Sequence, residues 1–124
     1  MIMKFYKCNT CGKIITQINE TSVPTVCFGE AMSEIIAGTV EASREKHIPV
    51  YAVNGNLVEV AVGSVEHPML PEHFIEWVVV ETKSGYQVKH LKPSSLPKAE
   101  FALVSGDEVV CVYAYCNLHG LWKA

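Results

Sequence analysis

The sequence predicts an all-β protein, an antiparallel sandwich preceded by a small cysteine-containing N-terminal domain. From residue 50 onward, short runs rich in β-branched and aromatic residues recur at a spacing of about ten residues, with turn-forming residues between them. No stretch shows a competing helical period. Short strands at this spacing, joined by tight turns, are typical of a sandwich of the immunoglobulin-like type.

Composition limits the partners that the protein can have. At 124 residues and 49% hydrophobic content, the chain is long enough to bury one main core. The formal charge of −3 includes no basic block, so the attraction that drives nucleic-acid binding is missing. No apolar run approaches the ~20 residues that span a bilayer, and the N-terminus lacks a signal-peptide stretch. We therefore expect a cytoplasmic protein without a nucleic-acid or membrane partner, in which the thiols stay reduced.

Cysteines and histidines divide the chain into two regions. Three of the five cysteines precede residue 37, whereas all five histidines follow it. We expect the boundary near Gly38, with a small N-terminal domain over residues 1–37 and the β-sandwich over residues 38–124.

Three pairs of strands are predicted along the second region. In VYAVNGNLVEVAV (50–62), Asn54-Gly55 lies between alternating apolar runs, which is a strong hairpin signal. The runs at 74–80 and 86–91 flank Lys-Ser-Gly, and those at 99–104 and 108–116 flank Ser-Gly-Asp. We expect a tight turn within each pair.

The last strand carries two cysteines that point in opposite directions. Cys116 shares a face with Val112 and Ala114, whereas Cys111 lies on the other face. Five residues of strand place the two Cα atoms roughly 16 Å apart, beyond disulfide reach. We interpret Cys111 as a small buried hydrophobe. Cys116 lies where the strand meets a turn, and the Cys-Asn-Leu-His spacing would bring its thiolate and the His119 imidazole onto one ion.

Three further histidines lie in loops that could meet at the same end of a sandwich. His67 and His73 stand in HPMLPEH, where two prolines fix backbone torsions and leave little entropy to lose. His47 precedes a proline at the mouth of the first hairpin. His90 lies within a strand beside two lysines, and we interpret it as a surface residue.

Together these residues predict a site with four imidazoles and one thiolate: His47, His67, His73, His119 and Cys116. That is too many ligands for the tetrahedral geometry of structural zinc, and the carboxylates preferred by calcium or magnesium are missing. Mixed imidazole and thiolate ligation suits iron or copper. Five ligands also leave one position of an octahedron open, where a small molecule can bind.

Two other kinds of protein would use similar residues. A copper-binding, cupredoxin-like electron carrier also combines a β-sandwich with a late cysteine and histidine, but no methionine follows His119 to serve as its weak axial ligand. A zinc-stabilised interaction module would use four ligands and leave no open position. Metal content distinguishes the three hypotheses.

Six segments distributed along the chain carry a family resemblance: KCNTCGK, VCFGEAM, EKHIPVY, VGSVEHPMLPEHFIEWV, KHLKP and YAYCNLHGLW. They resemble the desulfoferrodoxins, the two-domain form of the superoxide reductase family. The resemblance implies an immunoglobulin-like sandwich, homodimerisation and a non-haem iron with the four histidines as equatorial ligands and Cys116 as the axial ligand. It also implies one-electron reduction of superoxide to hydrogen peroxide, with a rubredoxin-like electron donor.

The same resemblance gives roles to two charged residues beside His47. Lys46 is expected to attract the superoxide anion. Glu45 is expected to close on the oxidised iron after product leaves. By residue type alone, both would be read as part of a solvated charged loop.

The N-terminal region departs from the family pattern. A desulforedoxin-like domain holds a second iron with C-x-x-C and an adjacent pair of cysteines. Here Cys8, Cys11 and Cys27 are present, but Phe28 occupies the fourth position, so a four-cysteine iron cannot form from these residues alone. Three thiolates holding zinc or iron remain an alternative. We favour thiols without metal, packed as small hydrophobes in a structural or dimerisation element, because a half-built site gains little affinity.

Overall fold

The computed structural model describes residues 2–124, which form two compact units divided between Ile36 and Ala37. The first unit contains five short strands: β1 (Phe5–Lys7), β2 (Ile14–Ile15), β3 (Val26–Cys27), β4 (Glu30–Ala31) and β5 (Ser33–Ile35). They form an antiparallel sheet in the order β2-β1-β5 and a separate β3-β4 pair. Cys8 and Cys11 follow β1, with Cys11 in a turn, whereas Cys27 ends β3.

The second unit contains one helix of a single turn and seven strands. They are α1 (Arg44–His47), β6 (Pro49–Asn54), β7 (Leu57–Val62), β8 (Ile75–Thr82), β9 (Gly85–His90), β10 (Lys98–Ala102), β11 (Val109–Cys116) and β12 (Gly120–Lys123). The strands form antiparallel sheets in the orders β10-β7-β6 and β12-β11-β8-β9. Sheets of three and four strands make the seven-stranded sandwich of the immunoglobulin type, and the predicted fold class is confirmed.

The core lies between these two sheets. It is made of alternate residues from both, including Val58, Val60, Val78, Val80, Phe101, Val112 and Ala114. Burying each of these valine or phenylalanine side chains contributes roughly 1.5–3 kcal/mol. Cys116 belongs to the same cluster and is 0% exposed, so the predicted face of this cysteine is confirmed. No helix within residues 2–124 is long and apolar enough to cross a bilayer.

Strand pairing brings three separate loops to one end of the sandwich. Pro49 at the start of β6 pairs with Val62 at the end of β7. Ile75 at the start of β8 pairs with Cys116 at the end of β11. Because the 63–74 connection joins these two pairs, the segment before β6, this connection and the β11–β12 turn all lie at the same end. The histidines predicted as ligands lie in these three segments.

The hairpin predictions succeed at two positions and fail at one. β8 and β9 pair as predicted around Lys83-Ser84. β6 and β7 also pair, but Asn54 faces Leu57, so Gly55-Asn56 occupies the centre of the turn. The pairing expected across Ser-Gly-Asp is wrong, because β10 joins β7 in one sheet and β11 joins β8 in the other. Turn residues there mark a crossing between sheets.

Gly55 is the position in the first hairpin where glycine is required. Its φ is +60°, while Asn56 keeps a negative φ, which is the pattern of a type II′ turn. We expect Gly55→Ala to lower the free energy of unfolding by about 1 kcal/mol, since a Cβ is disfavoured at positive φ. Gly85, at the start of β9, is the matched control because it has an ordinary φ and open space around it. Urea denaturation of both variants measures the difference, and equal effects would contradict the turn assignment.

Candidate metal centre

Four histidine rings form a closed cycle at the end of the sandwich. Each ring lies edge to face with the next, and the centroid distances are 4.6 Å (His47–His67), 4.7 Å (His67–His73), 5.1 Å (His73–His119) and 4.9 Å (His119–His47). His47 and His67 are buried, at 3% and 2% exposure. The structure thus brings together all four imidazoles that the sequence predicted for one site.

Backbone carbonyls fix the orientation of two of these rings. Nδ1–H of His47 donates to the Ser43 carbonyl at 2.6 Å, and Nδ1–H of His67 donates to the Pro68 carbonyl at 2.7 Å. A neutral imidazole with Nδ1 protonated carries only a lone pair on Nε2. The two Nε2 atoms nevertheless face each other at 3.1 Å. Two lone pairs cannot form a hydrogen bond, so a cation between them is what this arrangement accommodates.

The other two rings also contribute a nitrogen to the cycle, and one of these nitrogens has no protein partner. Nδ1 of His119 lies 3.1 Å from Nε2 of His47. Nε2 of His73 is buried and finds no hydrogen-bond partner among residues 2–124. Buried polar atoms are rarely left unpaired, and a metal bond would satisfy this one.

The separation between nitrogens indicates the coordination geometry. With metal–nitrogen bonds of about 2.1 Å, neighbouring ligands at right angles are roughly 3.0 Å apart, whereas tetrahedral neighbours are roughly 3.4 Å apart. His47 has two neighbours at 3.1 Å, one on each side in the cycle. The spacing at His47 is therefore closer to that of neighbouring ligands at right angles than to that of tetrahedral neighbours.

Cys116 approaches the cycle from the hydrophobic core. Ligand atoms of Cys116, His47, His67 and His73 all lie within 4.8 Å of one another, and Sγ of Cys116 lies 3.8 Å from Nδ1 of His119. Burial raises the pKa of the Cys116 thiol, while hydrogen bonds from backbone N–H groups of the following turn lower it. A bound cation favours the thiolate form of this sulfur. Cys116 is therefore expected to lose its proton when a metal binds.

Burial also keeps three of the histidines neutral, namely His47, His67 and His73. It lowers the pKa of His67 to about 4 and moves the pKa values of His47 and His73 below the usual range. These rings are unprotonated at neutral pH, which is the state that binds metal.

The loop that carries His47 packs directly on bare backbone. A Cβ at Gly63 would lie 2.6 Å from the Glu45 carbonyl oxygen and 2.8 Å from that of Ile48, so only glycine fits between them. Val65 N–H donates to the same Glu45 oxygen at 2.9 Å. This contact fixes α1 against the segment that leads to His67, and it couples the positions of two ligands.

Asn117 is a positioning residue that sequence reasoning missed. Its Oδ1 accepts from Phe74 N–H at 3.0 Å, and its Nδ2 donates to the Glu72 carbonyl at 3.0 Å. These bonds clamp the backbone on both sides of His73 to the turn between Cys116 and His119. The sequence offers a signal only in hindsight, since asparagine is common in turns because its side chain binds nearby backbone groups.

Trp122 supports two ligands from behind and was also missed. It is 3% exposed, and its ring lies 5.1 Å from that of His47 at an angle of 35°. Its Nε1–H donates to the His119 carbonyl at 3.0 Å. An indole N–H usually finds a partner when buried, but sequence alone does not identify which one.

Glu45 and Lys46 lie on α1, immediately before His47, and both are exposed. The hydrogen bond from its own backbone N–H lowers the pKa of the Glu45 carboxyl. After burial, the charge of Lys46 is among the causes that lower the pKa values of His47 and His73.

Two residues that the sequence predicted to lie outside the site, His90 and Cys111, are not part of it. His90 is exposed at the end of β9, as predicted. Cys111 is half-buried rather than fully buried, and β11 is irregular between Val109 and Cys111. It contacts none of the ligands described above.

A second cluster of ligand atoms lies in the first unit. Sulfur atoms of Cys8, Cys11 and Cys27 lie within 4.8 Å of one another, although Cys11 is exposed. The hydrogen bond with Cys27 lowers the pKa of Cys8 to about 7 and raises that of Cys27 to about 11. The three thiols are therefore not packed together as buried hydrophobes, which was the interpretation favoured from sequence.

Comparison with known proteins agrees with the geometry of the site. Residues 39–124 match the protein family described as desulfoferrodoxin. The chain belongs to the desulfoferrodoxin family. Within this family, the desulfoferrodoxin of Clostridium acetobutylicum is 41% identical over 122 residues, which cover 98% of this chain and 95% of the relative. The predicted resemblance is confirmed.

Solved structures support the same assignment. The crystal structure of the superoxide reductase from Treponema pallidum has a TM-score of 0.85 and 39% identity, and the match covers 100% of this chain and 99% of that one. The superoxide reductase (1Fe-SOR) of Giardia intestinalis has a TM-score of 0.55 and 31% identity, covering 64% of this chain and 95% of its own. The fold of this desulfoferrodoxin-family chain is thus shared with both.

The Asn117 clamp can be tested by removing its bonds in two steps. We expect Asn117→Ala to lower the free energy of unfolding by about 2 kcal/mol, because two backbone groups lose their partners. Asn117→Asp keeps the bond to Phe74 N–H and should lose less. Both variants should also shift the visible absorption of the metal-loaded protein, since His73 is released. Unchanged spectra with reduced stability would limit Asn117 to a structural role.

Proposed function

We propose that this chain is a superoxide reductase, an oxidoreductase that reduces superoxide by one electron to hydrogen peroxide. The observation that carries the proposal is the inward-facing cycle of four imidazoles with a buried thiol beside it. Solved structures that resemble the chain are themselves superoxide reductases. The balanced reaction takes up one electron and two protons for each superoxide.

The ligands proposed for a mononuclear non-haem iron are His47, His67, His73, His119 and Cys116. The four imidazoles and the Cys116 thiolate would together hold the ion. Iron bound there would supply the electron that superoxide accepts.

The 3.1 Å nitrogen spacing does not favour a zinc-stabilised interaction module, because four ligands around a plane differ from a tetrahedral site. A cupredoxin-like copper carrier needs a trigonal set of two histidines and a cysteine. Four inward-facing imidazoles exceed that set, so neither alternative fits as well as the reductase.

Lys46 is proposed to draw superoxide to the site. Superoxide is an anion, and the chain has a formal charge of −3, so capture needs a local positive potential. Lys46 is exposed and adjacent to a buried ligand. Its ammonium group would also donate a hydrogen bond to an oxygen species bound nearby.

Glu45 is proposed to act in the oxidised resting state, when its carboxylate would bind the metal after product leaves. Its exposure and its place on the helical turn directly before His47 support this role.

Three further proposals complete the catalytic cycle and its setting. A rubredoxin-like protein would return the electron that each turnover consumes. The protein would act as a homodimer in the cytoplasm. Its organisation would be a desulforedoxin-like domain over residues 1–37 and an iron-binding sandwich over residues 38–124. These proposals rest on the family resemblance.

The axial ligand can be tested by comparing the two late cysteines. We expect the oxidised, iron-loaded protein to show a visible sulfur-to-iron charge-transfer band. Cys116→Ser should remove both this band and the activity, because the thiolate is lost. Cys111→Ser should retain both. Circular dichroism checks that each variant is folded, and equal loss in the two variants would refute the ligand assignment.

Steering by Lys46 can be separated from a general effect of charge. The second-order rate of superoxide reduction should fall as salt rises, and Lys46→Ala should be slower and less sensitive to salt. Lys83→Ala is the matched control, since it removes the same charge after the far end of β8. Eight residues of strand place it roughly 26 Å from the site, beyond the Debye length of about 10 Å at 0.1 M salt.

Pulse radiolysis across a salt series measures these rates. An unchanged rate and salt slope in Lys46→Ala would remove this residue from the mechanism, as would an equal effect in Lys83→Ala. Glu45→Ala provides a contrast in the same experiment. It should leave the capture rate nearly unchanged but alter the spectrum of the oxidised protein and its response to azide.

A further inference from the structure

Three thiols in the first unit are arranged for a ligand that the sandwich site does not use. Sulfur atoms of Cys8, Cys11 and Cys27 lie within 4.8 Å of one another. Cys8 is 2% exposed, whereas Cys11 is exposed, so the cluster extends from the interior to the surface. The cluster therefore meets solvent on the side of Cys11.

The backbone around the cluster is folded to support sulfur ligands. Cys11 N–H points to Sγ of Cys8 at 3.4 Å, and Gly12 N–H donates to the Cys8 carbonyl at 2.9 Å. Gly12 has a φ of +81°, which closes this tight turn. A backbone N–H directed at sulfur favours the thiolate, the form that binds metal.

Two of the sulfurs are about as far apart as two ligands of one zinc ion. Sγ of Cys11 and Sγ of Cys27 are 3.7 Å apart. For bonds of about 2.3 Å to a tetrahedral zinc, neighbouring sulfurs are roughly 3.8 Å apart. A disulfide would require about 2.0 Å. The observed spacing thus fits two corners of a zinc site.

The fourth corner has no protein ligand. Among residues 2–124, no other cysteine, histidine or carboxylate belongs to this cluster. Phe28 follows Cys27, but its ring is 72% exposed and has no donor atom. Its φ of +53° shows that the chain turns sharply here, and Gly29 continues the turn with a φ of +74°. A fourth ligand must come from outside the chain.

We infer that Cys8, Cys11 and Cys27 form a zinc site with three thiolate ligands and a fourth position open to water or to an exogenous thiolate. Such a site has the open arrangement of catalytic zinc, in which three protein ligands leave one position for a small molecule. With three thiolates and one Zn²⁺, its net charge is −1. This inference does not depend on the proposed reductase activity.

Metal uptake by the full-length, iron-loaded protein tests the site. The protein is reduced with a phosphine under anaerobic conditions and titrated with Co²⁺, whose thiolate charge-transfer bands report sulfur ligation. We expect a second metal equivalent beyond the iron, which Zn²⁺ should displace. Cys11→Ser changes an exposed residue, so the fold should survive while this uptake is lost. Cys111→Ser is the matched control and should retain it.

The open position is tested with an added small thiol. The Co²⁺ spectrum of the natural sequence should shift when 2-mercaptoethanol is added. Phe28→Cys should still bind Co²⁺ but lose this response, because the new cysteine fills the fourth corner. The inference is overturned if the protein takes up no second metal, if Cys11→Ser takes up as much, or if the added thiol has no effect on the natural sequence. Iron content measured at the end confirms that the sandwich site was not exchanged.

Discussion

Two lone pairs held 3.1 Å apart, on Nε2 of His47 and of His67, are the constraint on which the site depends. Carbonyl groups of Ser43 and Pro68 fix both protons on the outer nitrogens, so neither ring can relieve the other by exchanging tautomers. Each buried polar atom left unpaired costs roughly 1–3 kcal/mol. The fold can hold this arrangement only because the surrounding core, turns and side-chain clamps compensate for its cost.

That compensation comes from contacts outside the cycle of rings. Gly63 lets α1 lie against the next loop without an intervening side chain. Asn117 ties the backbone around His73 to the turn that carries the last ligands. Trp122 fills the space behind His47 and holds the His119 carbonyl. These contacts to the main chain position the histidines of three loops. Outer contacts of this kind orient metal ligands in general.

Sequence reasoning succeeded where a local rule decides the outcome. Alternation along one strand was enough to separate Cys116 from Cys111, and the prolines between His67 and His73 marked the loop that carries both histidines. It failed where the structure depends on contacts between segments that are distant in sequence. The turn residues after β10 predicted a hairpin. They could not show that β11 joins the other sheet, because that depends on how the two sheets pack over the core. Asn117 and Trp122 were missed because their partners lie across the fold. The three N-terminal thiols could be counted from sequence, but only their spatial arrangement shows that the sulfurs converge.

Candidate ligands 72 residues apart, such as His47 and His119, meet only in the folded second unit. An unfolded chain cannot present them as a set, so an ion held by them would bind the native state alone and would shift the folding equilibrium by mass action. At a free ion concentration a hundred times the dissociation constant, this adds about 2.7 kcal/mol to stability. Loss of the ion would then raise the unfolded fraction roughly a hundredfold. The cellular abundance of the protein would therefore follow the iron supply, even if its synthesis were constant.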